Sequence, residues 1–150
     1  MIDLPVNLVL SALEAKLKRG AVLRTLFSFE NNDYFKRLII LNNQFLLDEI
    51  YFVFTTSQVE YFITNKDVDL IKLNTLFFRA GETFLNPDKD MIIDCRKVRQ
   101  ISKENLARNW NNHRLDFLGV LPLDIMEKID NILKRSNLIS PKVKQHILIN

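Results

Sequence analysis

Ala21-Val22-Leu23-Arg24-Thr25-Leu26-Phe27-Ser28-Phe29, then Glu30-Asn31-Asn32-Asp33, then Phe35-Lys36-Arg37-Leu38-Ile39-Ile40-Leu41: the fold turns on this stretch. β-Branched and aromatic residues crowd both apolar runs and a polar cluster separates them, the pattern of two strands joined by a turn. The grammar repeats. Asn42-Asn43 closes the second run, and Glu49-Ile50-Tyr51-Phe52-Val53-Phe54-Thr55-Thr56-Ser57 reads as a third strand. With only 3 glycines in the chain, paired asparagines are expected to make the turns, because Asn tolerates left-handed backbone better than other non-glycine residues.

Upstream, Val6, Val9, Leu10, Leu13 and Leu17 fall at helical spacing after Pro5, which predicts a helix over 5–18 with Asp3 or Leu4 ahead of it. Downstream, weaker strands are expected at 59–64, 69–73, 75–78 and 83–85, and a stronger one at 91–98. Ser102 is a good N-cap for a short helix. Residues 107–116 are polar and turn-rich, and Pro122 opens a helix that runs to Arg135 with Ile125, Ile129, Ile132 and Leu133 on one side. The tail, 138–150, is read as a strand or a docked turn of helix. Short strands in succession with a helix at each end imply an α+β fold, a small β-barrel or strongly bent antiparallel sheet whose closure removes apolar edges. No linker or repeat divides the chain. The reading is one domain over 1–150, with the N-terminal helix, a barrel core over 19–101 and a helical part over 102–150.

Composition narrows the chemistry. The 150 residues are 47% hydrophobic and 26% charged, so a core forms without staples. One cysteine, Cys95, and two distant histidines, His113 and His146, allow neither a disulfide framework nor a zinc-finger spacing. Gly20, Gly81 and Gly119 stand alone, which removes dinucleotide-binding and P-loop motifs. No cofactor is expected. An acidic start without a basic leader, and apolar runs shorter than the ~18 residues of a membrane span, place the expected protein in the cytosol and off the membrane. Charge is uneven: residues 48–94 hold nine acids against four bases, and the remainder is basic. Lys16-to-Arg24 and Arg96-to-Lys103 contain no acid. A solvated face accounts for such runs as well as a polyanion partner does.

Several polar groups interrupt the apolar strands. Arg37 stands directly before Leu38-Ile39-Ile40-Leu41; it either snorkels to solvent or pairs with an acid such as Asp94, or else clamps a phosphoryl group with its five-donor fork. The hydroxyls of Thr55-Thr56-Ser57, followed by Gln58, either satisfy a turn or donate to a phosphate oxygen. Asp94 and Arg96 lie two apart on a strand and so share a face, as an ion pair or as a base beside guanidinium charge. His113 and Trp110 stand in an Asn-rich loop, surface groups or else a proton shuttle and a stacking platform.

In order along the chain, Lys18-Arg19-Gly20-Ala21-Val22, Arg37 before its apolar strand, Thr55-Thr56-Ser57-Gln58, Asp94-Cys95-Arg96-Lys97-Val98-Arg99-Gln100-Ile101, and Phe117-Leu118-Gly119-Val120-Leu121-Pro122 before the last helix resemble the MazF/PemK (Kid) toxin family over roughly residues 18–135. The resemblance implies an SH3-like barrel, a homodimer, and cleavage of single-stranded RNA without a metal, under the control of an antitoxin protein. It assigns catalysis to Arg37 and Thr56, with Asp94 and Arg96 as further catalytic candidates and Asp94 or His113 as the base. Lys18, Arg19, Ser57, Gln58, Lys97, Trp110 and His113 are the expected RNA contacts. Departures from the family pattern are Ala21 in place of an acid, Leu38 in place of a proline, the Glu30-to-Phe35 loop in place of a Gly-containing one, and the order Asp94-Cys95-Arg96 in place of Arg-x-Asp. An inactive barrel that binds RNA or a protein is the other reading.

Overall fold

The two apolar runs form a hairpin of strands β1 (Ala21–Phe29) and β2 (Asn32–Ile40), antiparallel with Val22 opposite Ile39 and Phe29 opposite Asn32. Asn31, in the turn, has φ 67°, the left-handed backbone expected of an asparagine there. The structure is a computed structural model and describes residues 5–29, 31–43, 48–64 and 68–148. Strands β3 (Glu49–Thr56), β4 (Thr75–Phe78), β5 (Met91–Ser102) and β6 (Leu115–Val120) complete one antiparallel sheet in the order β4-β5-β3-β2-β1-β6. Helices α1 (Val6–Glu14), α2 (Val59–Thr64), α3 (Val68–Asn74), α4 (Lys103–Asn111), α5 (Leu123–Arg135) and α6 (Pro141–Ile147) accompany it.

The sheet curls into a half-barrel and does not close. Leu38, Ile39, Ile40 and Leu41 are all fully buried, because each face of the sheet has its own apolar cover. Val22, Ile39, Val53, Ile93 and Cys95 point to one face, under Ile125, Met126, Ile129 and Leu133 of α5 and Ile147 of α6. Leu23, Leu38, Ile40, Ile50 and Phe52 point to the other, under Val9 and Leu13 of α1 and Leu106 and Ala107 of α4. Burial on both faces makes a strand read as a continuous apolar run. Helical cover, with edge strands of only 4 and 6 residues in β4 and β6, does the work expected of barrel closure. Register shifts between Val22 and Leu23 on β1, and between Phe52 and Phe54 where β3 meets β5, bend the sheet.

Several expectations need correction. Residues 59–64 and 69–73 are helical, not strands: Val59 and Phe62 of α2 and Ile71 of α3 turn inward onto Ile92 of β5. Residues 83–85 belong to a turn, and the stretch 107–116, read as turn-rich, holds the second half of α4 and the start of β6. Helix α1 ends at Glu14 rather than near residue 18, while Asp3 and Leu4 lie outside the described residues. The second asparagine pair works through side chains, not backbone handedness. Asn42 is buried, its amide donating to Glu49 O at 3.0 Å and its carbonyl accepting from Tyr51 N at 2.7 Å. Asn43 donates to Gln145 O at 2.7 Å and Leu148 O at 2.6 Å, tying α6 to the sheet. Ser102 caps α4 as expected, accepting from Asn105 N at 3.1 Å.

Between β4 and β5 the chain makes a strap, residues 79–90, that crosses the open side of the half-barrel. Asn86 organises it. Its buried amide donates to Arg79 O at 2.8 Å and Lys89 O at 3.0 Å, and its carbonyl accepts from the Thr83 hydroxyl at 2.6 Å. Phe84 of the strap lies over Gly119 of β6, close enough that a Cβ on Gly119 would stand 2.9 Å from the ring. The two ends of the sheet thus meet through a loop, not a ladder.

Candidate functional site

Beneath the strap lies a pocket of about 450 Å³, floored by Phe35, Lys36 and Arg37 of β2 and by the end of β3 with Ser57 and Gln58, and walled by Leu85 to Met91. Antiparallel pairing explains its assembly. The ladder between β2 and β3 runs through Leu38–Phe54, so the next residues along, Arg37 and Thr55, emerge side by side. Arg37 shares the face of Ile39 by strand alternation. Its side chain is exposed, and one guanidinium nitrogen donates to Leu85 O at 2.6 Å. Among the described residues, no carboxylate pairs with it.

Arg37 stands directly opposite Arg24 of β1, a like-charge cross-strand pair that costs stability. Arg24 is accommodated by the ring of Phe35, 4.0 Å from its guanidinium carbon, and by Asp116 at 3.5 Å. Lys36 and Lys89 add positive charge to the pocket, and Asp88 and Asp90 bring carboxylates. One Asp90 oxygen accepts from Ala80 N at 2.9 Å. The Thr56 hydroxyl accepts from Gln58 N at 3.1 Å and so shapes the turn, and Thr56 is among the residues that line the pocket.

The structure therefore gathers Arg37, Thr56, Ser57 and Gln58 in one place, and holds the other candidates elsewhere. Asp94 lies between Ile93 and Cys95, which enter the α5-covered core, so its carboxylate points to the opposite face from Arg37. Arg96 grips it with two bonds of 2.9 Å, and the guanidinium lies 4.8 Å over the Phe62 ring. This is the same-face ion pair that the i, i+2 spacing allows. Arg19 pairs with Asp130 of α5 and donates to Ile147 O at 2.9 Å, so it is tied into the helical cover. Trp110 is half-buried and packs edge-on against Phe117 at 5.8 Å. His113 is exposed in the turn after α4 at φ 58°. Lys18 and Lys97 are exposed, and neither lines the pocket.

Phe35, Lys36, Asn86, Asp88, Lys89 and Asp90 are pocket residues that the sequence reading did not single out. Asn86-Pro87-Asp88-Lys89-Asp90 carried one usable signal, a dense polar turn between two strands. Burial, with the Asp94 carboxylate alongside, pushes the Cys95 thiol up to about 12 from an ordinary 9.0; it is a core group and no nucleophile. Among the described residues no helix is long and apolar enough to cross a membrane, and no three His, Cys, Asp or Glu side chains converge as metal ligands. The chain matches no family model and no curated protein sequence.

Proposed function

We propose that the pocket under the strap binds the phosphodiester of single-stranded RNA and that the protein is an endoribonuclease of the MazF/PemK toxin type, an SH3-like half-barrel acting as a homodimer and restrained by an antitoxin. The observation that carries this reading is the convergence of Arg37 with Thr56, Ser57 and Gln58 in one pocket of about 450 Å³, a size suited to a small ligand. The cross-strand pairing of Arg24 with Arg37 supports it, since it adds positive charge beside the pocket and the Arg37 fork suits an anion.

In this reading the ribose 2′-oxygen attacks phosphorus, the bond to the 5′-oxygen breaks, and the products are a 2′,3′-cyclic phosphate and a 5′-hydroxyl. Arg37 takes up the charge that develops on the phosphorane. The base moves from Asp94 to the carboxylates that line the pocket, with Asp88 taking the 2′-hydroxyl proton, and Lys89 gives a proton to the leaving oxygen. A second reading, RNA binding without turnover, is favoured by two observations: Asp94 is held by Arg96 on the other face, and no histidine lines the pocket.

The test is incubation of the protein with end-labelled single-stranded RNA in the presence of a chelator. Cleavage is expected, with Arg37→Ala lowering the rate by about 10²- to 10³-fold, the loss typical of one charge-stabilising donor. Expression in a bacterial host should arrest growth, and Arg37→Ala should relieve the arrest. Binding without cleavage would select the second reading, and a protein that neither binds nor cuts RNA would overturn both.

A further inference from the structure

Phe35 is a large apolar ring that the fold leaves 45% exposed, three residues before β2 enters the core at Leu38. It sits at the pocket, two residues before Arg37 on the same strand, so ring and guanidinium share a face about 6.8 Å apart along the backbone. Arg24 lies 4.0 Å over the ring, and Phe35 but not Arg24 lines the pocket. Asp116 holds that guanidinium in turn. Asp116, Arg24 and Phe35 thus form a braced stack across β6, β1 and β2, and its last member, Phe35, lines the cavity.

We infer that Phe35 is a base-stacking platform, on which an unpaired nucleobase lies while its flanking phosphate sits against Arg37. The inference rests on the RNA reading above and adds to it the place and manner in which the base is held. An aromatic face beside a cluster of cations suits a nucleotide: cations hold phosphate and π-faces hold bases, with little dependence on sequence. A base within a duplex already has both faces stacked, so the platform accepts single strands and refuses paired ones.

Fluorescence anisotropy tests this with a short single-stranded RNA whose 2′-O-methyl riboses prevent cleavage, an abasic ribose-phosphate oligomer of the same length, and the corresponding duplex. Phe35→Ala is expected to weaken binding of the single strand by about 5- to 100-fold, the effect of losing one stacked base. Phe35→Trp should retain affinity where Phe35→Leu does not, and binding of the abasic oligomer should be unchanged in all three variants. Arg37→Ala should weaken both single-stranded probes. Thermal unfolding of each variant keeps misfolding from being read as lost stacking. The platform is overturned if Phe35→Ala binds the single strand like the wild type, if Leu serves as well as Trp, or if the duplex binds as tightly as the single strand. Wild-type protein that binds none of the probes would instead sink the RNA reading, and the platform with it.

Discussion

Cys95 shows how one residue on β5 records the burial of the whole sheet. Its thiol is fully buried, and desolvation, followed by the neighbouring Asp94 carboxylate, raises its pKa to about 12. In the unfolded chain the thiol ionises near 9.0, so above that pH the unfolded state loses a proton that the folded state retains. Stability from this group is therefore complete below about pH 9 and falls as pH rises toward 12, at up to roughly 1.4 kcal/mol per pH unit. Denaturant unfolding in mildly alkaline buffers should show this slope in the wild type and not in Cys95→Ala, and thiol reagents should label Cys95 only on unfolding. The same strand explains why Asp94 was a poor candidate for the site. With Ile93 and Cys95 in the core, alternation turns Asp94 away from Arg37. The sequence showed the i, i+2 pairing with Arg96, but not which face of the sheet would be lined by the pocket.

At the scale of elements, Arg19 and Lys18 separate two meanings of a basic run. Arg19 fastens the start of β1 to Asp130 of α5 and to the last turn of α6, whereas Lys18 is exposed. Arg19→Ala is expected to destabilise the fold by roughly 1–3 kcal/mol, since a partly buried carboxylate loses its partner; Lys18→Ala should stay within about 0.5 kcal/mol. Urea unfolding of the two variants checks both values. Elements with strong local patterns were legible: β1, β2, β3 and β5 by their β-branched and aromatic runs, α4 by its cap, and α5 by its period. The region 59–73 was not, because a short apolar run such as Val59-Glu60-Tyr61-Phe62 fits either period until its partner is known. Its partner is Ile92, and the helical i, i+3 spacing of Val59 and Phe62 meets it. Strand β6 was obscured by the Asn-rich stretch before it and by Gly119 within it.

For the whole molecule, the strap matters most, since it walls the pocket and reaches across to β6. Leu85 anchors it in the core, its carbonyl accepts from Arg37, and Phe84 reaches Gly119 on the far edge. Gly119 has φ 145°, and a Cβ there would stand 2.9 Å from the Phe84 ring. Gly119→Ala should cost about 1–3 kcal/mol through backbone strain and speed hydrogen exchange at strap amides such as Gly81 and Leu85, as measured by mass spectrometry. The candidate site was legible where neighbouring strands build it, at Arg37 and at Thr56-Ser57-Gln58. It was illegible at Asp88, Lys89 and Asp90, because no periodicity tells a turn-rich loop which wall it will form.

Arg37 reaches the cavity with no carboxylate paired to it among the described residues and with Arg24 opposite it on β1, a like-charge penalty carried by the folded chain. An oxyanion entering the cavity would remove that penalty from the native state alone, so occupancy and heat resistance should rise together. Sulfate or inorganic phosphate should lift the melting temperature above that in chloride of matched ionic strength. In Arg37→Gln only the general salting-out increment should remain. A calorimetric scan in each salt reads the difference, and equal increments in the two proteins would mean that Arg37 never felt the ion.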